Sequence, residues 1–90
     1  MPRAIVDPAD VRRFAQGLKH FNTELAHQLA VIQGQFGALG DTWRDQEHEK
    51  FAREFSETVQ VLNRFMEAAN THVPFLLRKA ERIEEYLNQR

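Results

Sequence analysis

Residues 55–87 read FSETVQVLNRFMEAANTHVPFLLRKAERIEEYL. Within them Phe55, Val59, Leu62, Met66, Ala69, Val73, Leu76, Ala80, Ile83 and Leu87 recur at alternating spacings of four and three. All ten are apolar, and the residues between them are mostly Glu, Arg, Gln, Asn and Lys. This spacing returns side chains to one side of an α-helix, whereas a strand needs strict alternation. The segment therefore reads as an amphipathic helix, with Phe51, Phe65 and Tyr86 widening its apolar stripe on one flank. Pro74 breaks the local rule, because it lacks an amide proton and its ring crowds the preceding turn. The apolar phase passes through it unchanged, which predicts a kink in one helix rather than two helices with different faces. Asn70 and Thr71 are placed to cap a restarted helix if the chain does break there.

Upstream, Val11, Leu18, Leu25, Ile32 and Leu39 form a seven-residue repeat of aliphatic side chains. Three residues after the first four of these lie Phe14, Phe21, Gln28 and Gln35; four residues after them lie Ala15, Asn22, Leu29 and Phe36. The apolar stripe starts on one flank of the repeat and moves to the other. Such a stripe is a wide bundle face rather than the narrow seam of a two-stranded coil. Asp7-Pro8-Ala9-Asp10 reads as the helix start, with Asp7 as cap, Pro8 at the first helical position and Asp10 against the positive end of the dipole. Residues 1–6 are then a short extended or frayed arm. Gly34 and Gly37 loosen the last turns, each at a cost of about 1 kcal/mol against Ala, and Gly40 supplies a C-terminal stop. Asp45 caps the next helix, because Glu47 and Glu49 then fall in its first two turns. The expected layout is one all-α domain, with helices over about 8–39 and 46–88 and an elbow at 40–45.

Composition bounds what such a hairpin can do. The chain has 90 residues, 42% apolar and 28% charged, with twelve basic residues against thirteen acidic ones and a net charge of −1. Nucleic-acid binders carry a basic excess or stripe that is missing here. The absence of cysteine excludes disulfides, thiol chemistry and cysteine-ligated zinc. No apolar run approaches a membrane span, and the first residues hold no signal-peptide core. The protein is thus expected in the cytoplasm when made, and any export would proceed without a cleavable signal. Ser/His/Asp arrangements, glycine-rich phosphate loops and paired-carboxylate clefts are not apparent. His48-Glu49 begins like a zinc-protease helix, but Ala52 stands where the second histidine belongs. No catalysis, cofactor or metal is expected.

Two helices of about 30–40 residues, some 45–60 Å long, joined by so short a connection must run antiparallel. Facing only each other, they leave much of both stripes wet, and exposed apolar patches of that size mark interaction surfaces. The economical solution is an antiparallel two-helix hairpin that pairs with another as a four-helix bundle in a dimer. The expected interface residues are Val11, Phe14, Leu18, Phe21, Leu25, Leu29, Ile32 and Phe36 on the first helix. On the second they are Phe55, Val59, Leu62, Phe65, Met66, Val73, Leu76 and Ile83.

Length, elbow position and the Leu39-x-x-x-Trp43 approach to the turn resemble the WXG family of small type VII secretion proteins. That family is built as helix-turn-helix hairpins with a Trp-x-Gly motif at the elbow. Here Trp43 holds the Trp place, Arg44 the variable place, and Asp45 the place of Gly. Both Asp and Gly suit a helix N-cap. The resemblance implies antiparallel four-helix bundles formed with a second copy or a homologous hairpin, no membrane insertion, and handling by a secretion-system ATPase. Exported members often carry a C-terminal Tyr-x-x-x-Asp/Glu signal. Tyr86 matches the Tyr, and Arg90 stands in place of the acid. An intracellular adaptor or structural subunit that is not exported is the other reading.

Several residues carry two readings each. The Trp43 ring either closes the end of the bundle or is a recognition surface. Gln28 and Gln35 either have rotated out to solvent or select the partner's register. Phe75 and Leu77 either join the core through the kink at Pro74 or form a separate docking point. His20, His27, His48 and His72 read as solvated or hydrogen-bonded side chains, and His72 is the best placed for pH sensitivity. Arg78, Lys79 and Arg82, interleaved with Glu81, Glu84 and Glu85, read as a solvated helix face.

Overall fold

The computed structural model describes residues 6–89. The N-terminal arm, apart from Val6, and Arg90 lie outside the described residues. Two helices make up the fold: α1, Pro8–Leu39, and α2, Gln46–Asn88. They are 32 and 43 residues long, or about 48 and 65 Å at 1.5 Å per residue. Arg12 meets Glu84 at one end, and Phe36 packs on Phe51 and Phe55 at the other, so the helices run antiparallel. The fold is an all-α hairpin, with no strand among the described residues.

Local chemistry starts each helix. Asp7 has extended backbone and its Oδ1 accepts from the Ala9 amide at 2.9 Å, with Pro8 at the first helical position. Asp45 repeats the device, its Oδ1 accepting from the His48 amide at 2.9 Å. Each cap satisfies a donor that the first turn leaves free. Gly40 ends α1 without a left-handed residue, at φ −62° and ψ −16°. The chain instead tightens: the Thr42 and Trp43 amides both donate to the Leu39 carbonyl, and Arg44 Nε donates to the Gly40 carbonyl at 2.8 Å. A Cβ on Gly40 would lie 3.3 Å from the Gly37 carbonyl oxygen, so closeness to that oxygen is what favours glycine there.

Small residues set the spacing between the helices. Ala15 and Ala80 are fully buried, and Ala69, Val59, Val73, Leu29 and Asn22 are buried beside them. Val11, Leu18, Leu25 and Phe36 of α1, and Phe55, Leu62, Met66, Leu76, Leu77 and Ile83 of α2, are half-buried around this line. The deepest row of α1 is thus Ala15, Asn22 and Leu29 rather than the aliphatic repeat itself. Ile32 and Leu39, the last members of that repeat, are exposed. α2 runs unbroken through Pro74, which lies on the exposed side. The Asn70 carbonyl that loses its helical donor is therefore not compensated by a second start.

Asn22 is the exception in the seam, only 6% exposed. Its Nδ2 donates to the Met66 carbonyl at 3.0 Å and to Asn70 Oδ1 at 2.9 Å, tying the centres of the two helices together. Its own Oδ1 is buried with no hydrogen-bond partner. At the open end, the Arg12 guanidinium grips Glu84 with both terminal nitrogens.

Candidate interaction surface

The hairpin leaves an apolar flank of its seam uncovered. Phe14 and Phe21 project from α1, and Phe51 and Phe65 from α2, all exposed. The rings of Phe21 and Phe65 meet edge to face, centroids 6.0 Å apart, across the gap between the helices. The two flanks therefore make one continuous face. Ile32 and Leu39 extend it toward the elbow. There a groove of about 390 Å³ is lined by Ile32, Gln35, Phe36, Leu39, Phe51 and Phe55. Near the open end, Gly17 leaves a notch between Phe14 and Phe21. Exposed apolar surface this extended carries a cost in water that a covering partner removes.

The sixteen residues expected at the interface fall into two groups. Leu29 and Val59 and Val73 are buried inside this single hairpin, and Val11, Leu18, Leu25, Phe36, Phe55, Leu62, Met66, Leu76 and Ile83 are half-buried there. Phe14, Phe21, Ile32 and Phe65 lie on the uncovered face. Gln28 and Gln35 are exposed. Phe75 and Leu77 separate: Leu77 is half-buried against the seam, whereas Phe75 is exposed, with Thr71, His72 and Arg78 around it. Tyr86 is exposed near the end of α2.

Trp43 sits half-buried in an aromatic cluster at the elbow, with Arg44 and Asp45 exposed beside it. The His48 ring stacks on Phe36 (centroids 5.1 Å apart, planes 9° apart) and meets Trp43 edge-on at 4.9 Å. Phe51 and Phe55 complete the cluster. The Trp43 ring thus packs on the first turns of α2 while keeping part of its surface in water. His48 Nε2 is buried there without a partner. His48 is thus neither solvated nor hydrogen-bonded through Nε2, but packed between aromatic rings. The signal that could have placed it is its position three residues from both the Asp45 cap and Phe51. His20, His27 and His72 are exposed.

Charge plays a small part in this surface. Arg78, Lys79 and Arg82 are exposed, as a solvated helix face requires. Glu84 departs from that face and pairs across the hairpin with Arg12. The hydrogen bond from Arg12 holds the Glu84 carboxyl below the usual carboxylate range, and the same bond raises the Arg12 guanidinium. Among the described residues no group of His, Asp and Glu is placed to hold a metal ion, and no helix is long and apolar enough to cross a membrane. Against models of protein families, characterised proteins and solved structures, the chain shows no match.

Proposed function

We propose that this protein is a non-enzymatic interaction module whose uncovered face is closed by a second helical hairpin, completing a four-helix bundle. The supporting observation is the single face that gathers Phe14, Phe21, Ile32, Leu39, Phe51 and Phe65, all left exposed beside the seam of the hairpin. A helix pair is one layer, and stable helical domains bury their stripes against a second. The resemblance to WXG proteins adds a setting: a small substrate, partner or carrier of a type VII or related secretion system, presenting its elbow and helix ends to the export ATPase. Tyr86 is accessible for such reading. Arg90, in place of an acid four residues later, favours the second reading of an adaptor that stays in the cell.

The interaction reading is tested by replacing Phe14 and Phe21 together with Ser. Both are exposed, so helix content by circular dichroism should hold. Association, measured by light scattering on the chain alone and mixed with any helical hairpin that a neighbouring gene encodes, should be lost. Monodisperse monomer in both samples before any substitution would sink the reading. Export is tested separately, by looking for the chain in culture medium with and without the secretion ATPase.

A further inference from the structure

On α2, Val61, Ala68 and Phe75 stand at intervals of seven, and all three are exposed. Counted at about 100° per residue, Phe75 lies roughly 80° around the helix from Phe65 and roughly 120–160° from the buried Ala69, Val73 and Ala80. It is outside both the seam and the uncovered apolar face. A second hairpin seated on that face leaves Phe75 and Val61, 50% and 56% exposed, still in water.

The charge around this column is of one sign. Arg64, Arg78, Lys79 and Arg82 lie within about 60° of Phe75 on the helix surface, and all are exposed. No Asp or Glu falls in that sector between Val61 and Arg82. Glu81 is about 120° away, and Glu84 is held by Arg12. Among the described residues none of the four cations is in an ion pair. The net charge of −1 thus conceals a positive strip about 32 Å long.

The shape of the strip selects its occupant. Thr71, His72, Phe75 and Arg78 line a recess of about 340 Å³. The last three follow the first by one, four and seven residues, so the recess spans successive turns of one face. A hole bounded by four such side chains is what a facing helix fills with a knob. A lipid surface instead takes up a continuous apolar stripe. Here the apolar groups are about 10 Å apart with cations between them.

We infer that the outer face of α2 is a second docking surface, and that its occupant is an acidic amphipathic helix of another protein. An apolar side chain of that helix enters the recess beside Phe75, and its flanking carboxylates meet Arg78, Lys79 and Arg82. The strip does not depend on what covers Phe14 and Phe21. The hairpin can therefore hold this helix and a covering hairpin at once.

The test uses the full chain and fluorescent three-heptad helical peptides with Leu at positions a and d. One peptide carries Glu at positions e and g, the other Lys. Helix content of each variant is checked first. It should hold, because the changed sites are exposed and Glu is a good helix former. By fluorescence anisotropy the Glu peptide should bind, and more weakly at high salt. Affinity should fall about ten-fold or more in Phe75→Ser, and likewise in a variant joining Arg78→Glu and Lys79→Glu. Replacing Phe14 and Phe21 with Ser should leave it unchanged. No binding of the Glu peptide, equal binding of the Lys peptide, or a loss on changing Phe14 and Phe21 but not Phe75, overturns the inference. Vesicles of phosphatidylserine and phosphatidylcholine supply the remaining arm. Co-sedimentation that Phe75→Ser abolishes, with no binding of the Glu peptide, replaces the helix by an anionic lipid surface. None of these outcomes bears on the bundle reading, which light scattering decides separately.

Discussion

Asn22 shows how one polar side chain can be misplaced on hydrophobic grounds and still belong to the core. In the sequence it is a break in a row that otherwise runs Ala15, Leu29, Phe36. In the hairpin that row is the deepest, and Asn22 is bonded across the seam while its Oδ1 has no partner. A buried polar atom left without a hydrogen bond costs about 1–3 kcal/mol, while each bond made returns about 1 kcal/mol. Asn22→Leu should therefore raise stability by about 1 kcal/mol in a urea titration. It should also broaden the distribution of oligomers in light scattering, because the bond to Met66 and Asn70 fixes how the helices slide. A clear loss of stability would mean that the two bonds outweigh the unpaired oxygen. Glu84 belongs at this scale too. Its carboxyl is held low by the Arg12 hydrogen bond, so the pair contributes fully above the ordinary carboxylate range and loses its contribution as pH falls through the lowered value. Arg12 stays charged throughout. Glu84→Gln should lower the melting temperature slightly at pH 7, and the gap to the native chain should close below about pH 4. A gap that does not change with pH would mean that the pair acts through packing alone. The gain is small because both side chains remain partly in water.

At the scale of the helices, what is local is legible and what depends on their meeting is not. The four-three spacing from Phe55 to Leu87 identifies α2, and Asp7 and Asp45 mark both starts, because periodicity and capping are settled within a turn or two of chain. Which flank of each stripe turns inward is settled elsewhere. It depends on where Ala15, Ala69 and Ala80 let the backbones approach. Small residues rank low as hydrophobes, so a reading that counts large apolar side chains gives the outer flank of Phe14, Phe21 and Phe65 the same weight as the seam. The Gly40 stop was legible as a boundary, while its tight turn with ordinary right-handed backbone was not. Pro74 supplies the prediction for this scale. It sits inside an unbroken α2 with its ring toward solvent, and it deprives the Asn70 carbonyl of a donor. Pro74→Ala restores that bond and removes a ring clash, and should stabilise the hairpin by about 1–3 kcal/mol in thermal or urea melts. No gain would show that water on the exposed side already satisfies the carbonyl.

For the molecule as a whole, the hairpin architecture follows from a connection too short for anything but an antiparallel return. The uncovered face follows from the number of phenylalanines that one seam can hold. Its outline, 68 × 21 × 16 Å, also governs how it travels through solution. The radius of gyration is 20.1 Å, against about 12 Å for a compact chain of this length. A single hairpin is a slender rod and will elute from a sizing column well ahead of its mass. Stacking a second hairpin of like size face to face would thicken the rod without lengthening it, so mass would double while drag increased much less. Association should thus appear as a fall in frictional ratio by analytical ultracentrifugation, with little change in elution volume.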